Sequence, residues 1–191
     1  MDTQEKLKII FDAVDLDKIE AQGIDKADLQ ILKSRVMAKF PSTKPIQTDF
    51  DIEVPKSGLI EIYTDGASLG NPGKAGAGVF VQTADKEEIF SIAEPLGVAT
   101  NNVAEYSALL IACQFLTQTD LKEKYCHFKL DSELVVKQIN GVYKIKNPDL
   151  RDLNKRIQAE LSKISNWKVS HVRREYNTIA DKLSKEGANK N

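Results

Sequence analysis

The chain has little of the residues that build covalent or soft-metal scaffolds. Of 191 residues, two are cysteine, two are histidine, two are methionine and one is tryptophan. Two cysteines, Cys113 and Cys126, are too few for a disulfide framework or a zinc cluster, and they fit a reducing cytosol. No run approaches the roughly 18 apolar residues of a membrane span. The N-terminal stretch MDTQEKLKII has acids where a secretory leader is basic, and no long apolar stretch follows. These absences predict a soluble, cytoplasmic chain with no membrane partner. An excess of charge is lacking too: 27 Lys and Arg stand against 28 Asp and Glu, a formal net charge of −1. As a total, that discourages a nucleic-acid partner. What is present is apolar content of 41%, enough for a real core.

The total hides a distribution. Residues 1–57 carry nine basic and eleven acidic side chains, whereas 122–185 carry fifteen and eight, net +7. The second stretch predicts either a basic surface or a set of solvated helix faces. A boundary falls at residues 41–57, where three prolines and no helical period mark a linker. Before it, Asp2 and Glu5 form a capping box, and Leu29, Ile31, Leu32, Val36, Met37 and Phe40 form an apolar stripe. Residues 1–40 are therefore expected to be a helical accessory segment, too small for a strong core of its own. Such a segment packs on the main domain, on a protein partner, or on itself in a dimer.

From residue 58 the pattern changes. GLIEIYTDG reads as a strand stopped by Asp-Gly, and AGAGVFVQTA and EEIFSIAEPL as two more joined by a short link. Thr100 to Thr117 reads as a helix capped by Thr100 or Asn102. CHFKLDS is a fourth strand and SELVVKQIN a brief helix stopped by Gly141. Asp149 to Ile164 is an amphipathic helix, WKVSHV a fifth strand, and Asn177 to Gly187 a last helix. The order βββαβααβα predicts an α/β (mixed α+β) domain over 58–191, with a five-stranded mixed sheet and helices on both faces.

Four acids stand at element ends: Asp65 after the first strand, Glu105 in the first turn of the long helix, Asp131 after the fourth strand, and Asp181 in the first turn of the last helix. Singly, each reads as a turn, a cap or a partner of a helix dipole. Together they read differently. Glu105 is flanked by Ala104, Ala108 and Leu109, and Asp181 by Ala180 and Leu183, so both faces point inward. Converging carboxylates repel unless cations lie between them. An all-oxygen donor set suits Mg²⁺ or Mn²⁺. Two such ions about 4 Å apart are a device for in-line displacement at phosphorus. Five glycines between 66 and 78 offer either a close approach to a ligand or a plain hairpin. Thr100-Asn101-Asn102 offers either a phosphate site at a helix N-terminus or simple capping.

Four stretches, YTDGASLGNPGKAGAG, TNNVAEYSALL, LDSELVVKQINGVYKIK and HVRREYNTIADKLSKEGA, resemble type 1 ribonuclease H in order and spacing, over residues 58–188. The resemblance implies that Asp65, Glu105, Asp131 and Asp181 form a metal and catalytic site with two ions. It implies endonucleolytic hydrolysis of the RNA strand of an RNA/DNA hybrid, leaving 5′-phosphate and 3′-hydroxyl ends. Ser68, Gly70 and Asn71 match positions that approach RNA, Asn101 and Asn102 match minor-groove contacts, and Thr100 matches a DNA phosphate contact. The family's loop histidine is missing from Val172 to Asp181, where Arg174 or Glu175 stands instead, and His171 reads as structural. Its tryptophan-rich protrusion is missing too, so Lys144, Lys146, Arg151, Lys155, Arg173 and Arg174 are the expected phosphate contacts. Glu133 stands where the family often has Gln, either tuning metal affinity or facing solvent. Residues 1–57, with Phe11, Phe40 and Phe50 as their only aromatics, do not resemble the family's hybrid-binding module. The alternatives are a hybrid-binding protein on an inactive nuclease fold and a nuclease for double-stranded RNA or branched DNA.

Overall fold

The computed structural model describes residues 58–190; the expected helical segment 1–40 and linker 41–57 lie outside them. The described part holds five strands: β1 (Leu59–Gly70), β2 (Gly73–Thr83), β3 (Glu88–Ala99), β4 (Tyr125–Leu130) and β5 (Asn166–His171). Its helices are α1 (Asn101–Thr117), α2 (Glu133–Ile139), α3 (Pro148–Leu161) and α4 (Thr178–Asn189). The strands form one sheet in the order β3-β2-β1-β4-β5. β1, β2 and β3 are antiparallel neighbours, while β4 lies parallel to both β1 and β5. This is the expected mixed sheet. Among the described residues, no helix is long and apolar enough to cross a membrane.

Helices cover both faces. On one face Ile60, Ile62, Val79, Val81, Phe128 and Leu130 meet Tyr106, Leu109, Phe115 and Leu116 of α1, with Leu153, Ile157 and Leu161 of α3 behind. Each fully buried aliphatic side chain here contributes about 1.5–3 kcal/mol. Phe90 of β3 stacks on Phe115, ring centroids 4.0 Å apart. On the other face α4 lies across β1, β2 and β3.

The first strand differs from its expected length. Asp65-Gly66 does not stop β1, because β2 stays paired with it as far as Gly70 opposite Gly73. The tertiary ladder overrides the local turn preference. Gly66, Gly76 and Gly78 let helices approach the strands, while Gly70 and Gly73 form the turn between β1 and β2. A Cβ at Gly66 would overlap the backbone of Ala104 and Glu105, and one at Gly78 would overlap the backbone of Ala180 and Ser184. The sheet is thus thinned on opposite faces so that α1 and α4 can close on β1 from both sides. Two other helices also differ at their ends: α3 stops at Leu161 and α4 runs on to Asn189.

Candidate active site

The register of the sheet places the first two acids. β4 pairs with β1 in parallel and ends with Leu130 opposite Thr64. The next residues are Asp131 and Asp65, so two carboxylates leave adjacent chains at one level. Among the described residues, β1 pairs with no strand beyond this level on the β4 side. α1 fills the opening. Thr100 caps it, its hydroxyl accepting from the Val103 amide at 3.3 Å. Glu105 follows in the second turn, one turn later than expected, and lies against Gly66, whose N–H donates to its carboxylate.

Asp65, Glu105 and Asp131 each offer an oxygen within 4.8 Å of the others. Asp65 and Glu105 are buried, 5% and 6% exposed, and Asp131 is half-buried. Glu105 Oε2 is buried with no hydrogen-bond partner among the described residues. Burial, then the charges of Asp65 and Asp131, push the Glu105 carboxyl well above its ordinary value. Burial also raises Asp65, to about 6; the charges of Asp131 and Asp181 add to this and a hydrogen bond from Ser184 opposes it. The charge of Arg174 opposes the rise in Glu105 without cancelling it, and the three ligand atoms brought together are all carboxylate oxygens. Both features fit a divalent cation of the Mg²⁺ or Mn²⁺ type.

Asp181 stands beside this triad rather than within it. Arg174 and Lys185 hold its carboxylate, with Arg174 Nη2 2.5 Å from Oδ1 and Lys185 Nζ 2.5 Å from Oδ2. Burial tends to raise its carboxyl, but these two cations prevail and lower it. Arg174, expected at a phosphate, here serves an acid.

Two site residues escaped the sequence reading. Asn177 is buried and looks like a helix cap, yet makes no side-chain cap bond. Its Nδ2 donates to the Thr64 carbonyl and to Asp131 Oδ1, both at 3.0 Å, and so joins β1 to the acid after β4. Ser184 is fully buried and donates to Asp65 Oδ2. Its spacing of three from Asp181 along a helix was the one signal available.

The expected substrate contacts fall into two groups. The Gly70–Gly73 turn, with its cis Asn71-Pro72 bond, meets the start of α1: Asn71 Oδ1 accepts from the Asn101 amide at 3.1 Å. Ser68 Oγ lies within hydrogen-bond reach of the Ala99 carbonyl, at 2.7 Å, and of the Gly70 carbonyl, with one proton to give to either. Asn101 and Asn102 remain exposed at the helix start. Ser68, Gly70, Asn71, Thr100, Asn101 and Asn102 therefore share one surface. Lys144 and Lys146 lie exposed in segment 140–147, and exposed Arg173 is 3.7 Å from Glu175. Glu133 faces solvent and pairs with Lys137 at 2.8 Å, and His171 is exposed at the end of β5.

This arrangement, an acid cluster where a parallel strand stops short inside a β3-β2-β1-β4-β5 sheet, defines a ribonuclease H-like nuclease fold. A family model described as reverse transcriptase-like matches residues 63–187. Ribonuclease HI of Halobacterium salinarum is 35% identical over 135 residues, covering 71% of this chain and 67% of that protein. The crystal structure of that archaeal RNase H1 superposes with a TM-score of 0.66, covering 70% of this chain and all of the other. LC11-RNase H1, isolated from compost and solved with an RNA/DNA hybrid, is 37% identical, with a TM-score of 0.65 over 69% of this chain and 97% of the other. A bifunctional protein of Mycobacterium tuberculosis is 38% identical over 128 residues, but this chain spans only 35% of its length. The chain belongs to the type 1 ribonuclease H family and is an enzyme of that class.

Proposed function

We propose that this chain hydrolyses the RNA strand of RNA/DNA hybrids endonucleolytically, leaving 5′-phosphate and 3′-hydroxyl ends. The observation that carries the reading is the triad Asp65, Glu105 and Asp131, its oxygens within 4.8 Å and its Glu105 carboxyl raised by burial and by the two neighbouring acids. Asp65, Glu105, Asp131 and Asp181 hold two Mg²⁺ or Mn²⁺ ions in this reading. Bound divalent ions activate a water and stabilise the leaving oxygen of an in-line displacement.

The chain's own groups supply position. Asn177 and Ser184 orient Asp131 and Asp65, so the carboxylates are set before substrate arrives. Arg174, beside Asp181, offers a cation toward the phosphate as its carboxylate partner turns to metal. Ser68, Gly70, Asn71, Asn101 and Asn102 face the minor groove, where the 2′-hydroxyl marks the RNA strand. Amides and hydroxyls bond that group without reading a base edge, so little sequence preference follows. Thr100 takes a DNA phosphate, and Lys144, Lys146 and Arg173 add further phosphate contacts. Residues 1–40 are an accessory segment and 41–57 a linker, both outside the chemistry, and a cytoplasmic setting accords with the free buried thiols of Cys113 and Cys126.

The test uses end-labelled RNA paired with DNA, paired with RNA, or single-stranded, each with Mg²⁺, Mn²⁺ or chelator. Cleavage of the hybrid alone, and only with metal, is expected. Equal cleavage whatever the second strand would overturn the substrate, and cleavage in chelator would overturn the metal role.

A further inference from the structure

Asp65 faces α4, and the residue opposite it in the β1–β2 ladder is Gly78. A side chain at 78 would overlap the Ala180 carbonyl and the Ser184 amide. The helix backbone therefore lies directly against the sheet at the register position of the central acid, as it does again at Gly76. Ser184 sits at this contact with no exposed surface. Its Oγ bonds Asp65 Oδ2 and lies 2.8 Å from the carbonyl of Asp181, one turn back on the same helix. A hydroxyl has one proton, and a charge-assisted bond to a carboxylate outweighs one to a carbonyl.

We propose that Ser184 is a positioning residue for the metal site. Its hydroxyl occupies one oxygen of Asp65, fixes the carboxylate plane, and sets the spacing between Asp65 and Asp181. The proposal rests on the reading that these two acids hold metal. A serine that only filled a buried niche would need no ionisable partner. Here the same hydroxyl touches the side chain of one acid and the backbone of another, from strand and helix elements 119 residues apart in sequence. One hydrogen bond thus carries the relative position of two ligands. Alanine fills the space without the proton, and cysteine fills it with a weaker donor.

The test is calorimetric titration of the full-length protein with Mn²⁺, without nucleic acid, for wild type, Ser184→Ala and Ser184→Cys. Thermal melts and cleavage as a function of metal concentration accompany it. Loss of a group that orients a metal ligand costs about 10- to 100-fold in affinity. The expected order of affinity is Ser, then Cys, then Ala, with the half-saturating metal concentration for cleavage moving in parallel. Glu186→Gln, on the exposed side of α4, leaves the affinity unchanged. Equal Mn²⁺ affinity for all variants would overturn the proposal, including the case in which Ser184→Ala only melts earlier. Asp65→Asn separates this failure from that of the underlying reading. If it loses Mn²⁺ binding while Ser184→Ala keeps it, only the role of Ser184 fails. If Asp65→Asn itself binds and cleaves as wild type, the site reading fails.

Discussion

Arg174 grips Asp181 through a single oxygen: its Nη2 and Nε lie 2.5 Å and 3.2 Å from Oδ1. Lys185 holds the other oxygen. A divalent ion that used Asp181 would meet a carboxylate already engaged by a guanidinium and an ammonium.

Replacing Arg174 by alanine removes the guanidinium. Exposed ion pairs are worth about 0.2–1 kcal/mol. Mn²⁺ binding to the substrate-free protein should tighten by about two- to fivefold, while hybrid affinity should fall on the proposal that Arg174 also meets a phosphate. Calorimetry and gel shift measure the two effects. Unchanged Mn²⁺ affinity would mean that the pair opens without cost.

Asp65→Asn keeps the shape of the side chain and removes its charge. Cleavage should fall by about 10³-fold or more, while hybrid binding persists on the surface formed by Asn71 and Asn101. Single-turnover cleavage beside equilibrium binding separates the two. Near-wild-type cleavage would remove Asp65 from the chemistry.

The raised Asp65 carboxyl makes metal-free stability fall with pH. Burial is the main cause, and the group holds its proton until about pH 6 rather than 3.8. A raised folded value contributes stability that is present below 3.8 and lost as pH rises through about 6. Bound metal supplies the counter-charge that the buried carboxylate otherwise lacks. The melting temperature of Mn²⁺-loaded protein should therefore pull away from that of chelator-treated protein between about pH 5 and 7. A gap that stays constant across this range would contradict the assignment.

Glu61 gives the opposite sign on the same sheet face. Burial alone would raise its carboxyl, but hydrogen bonds from Lys129, Lys86 and Gln82 prevail and hold it at about 2. Both lysine contacts are 2.5 Å and the glutamine contact is 2.9 Å. A depressed folded value contributes stability that is present above 4.5 and lost as pH falls through about 2. Glu61→Gln should be less stable at neutral pH and lose less on acidification, as read by urea titration in chelator. Parallel acid profiles for the two proteins would show that the cluster contributes nothing.

Gly66→Ala tests the closure of α1 on β1. The added methyl has no space between the strand and the backbone of Ala104 and Glu105. Overpacking of this kind costs about 1–3 kcal/mol, and it moves the acid that completes the triad. The variant should melt earlier and bind Mn²⁺ more weakly. Wild-type stability with wild-type metal binding would show that the helix yields freely.

The element order was legible from the apolar periodicity, and Asp65, Glu105 and Asp131, which the fold brings together, were legible as acids that break or border apolar segments. The length of β1 was not, since Asp65-Gly66 is locally a turn and only pairing with β2 keeps it extended. The purpose of Gly66 and Gly78 was hidden for a similar reason. Each answers to a helix distant in sequence, and a glycine shows only that space is needed, not what enters it. Asn177 and Ser184 resemble an ordinary cap and an ordinary small helix residue. Their partners become visible only when α4 is laid across the sheet. Asp181 was legible as an acid but not as one already held by Arg174 and Lys185.

The early stop of β4 at Leu130 has a further consequence. Strand length there works as a ruler for the active site. Every residue added to the ladder would advance Asp131 by about 3.3 Å and turn it to the opposite face of the sheet. Two would restore the face but extend pairing along the β1 edge that Glu105 now enters. Helices and loops around this sheet can lengthen with the acids still in place; the fourth strand has a single permitted end.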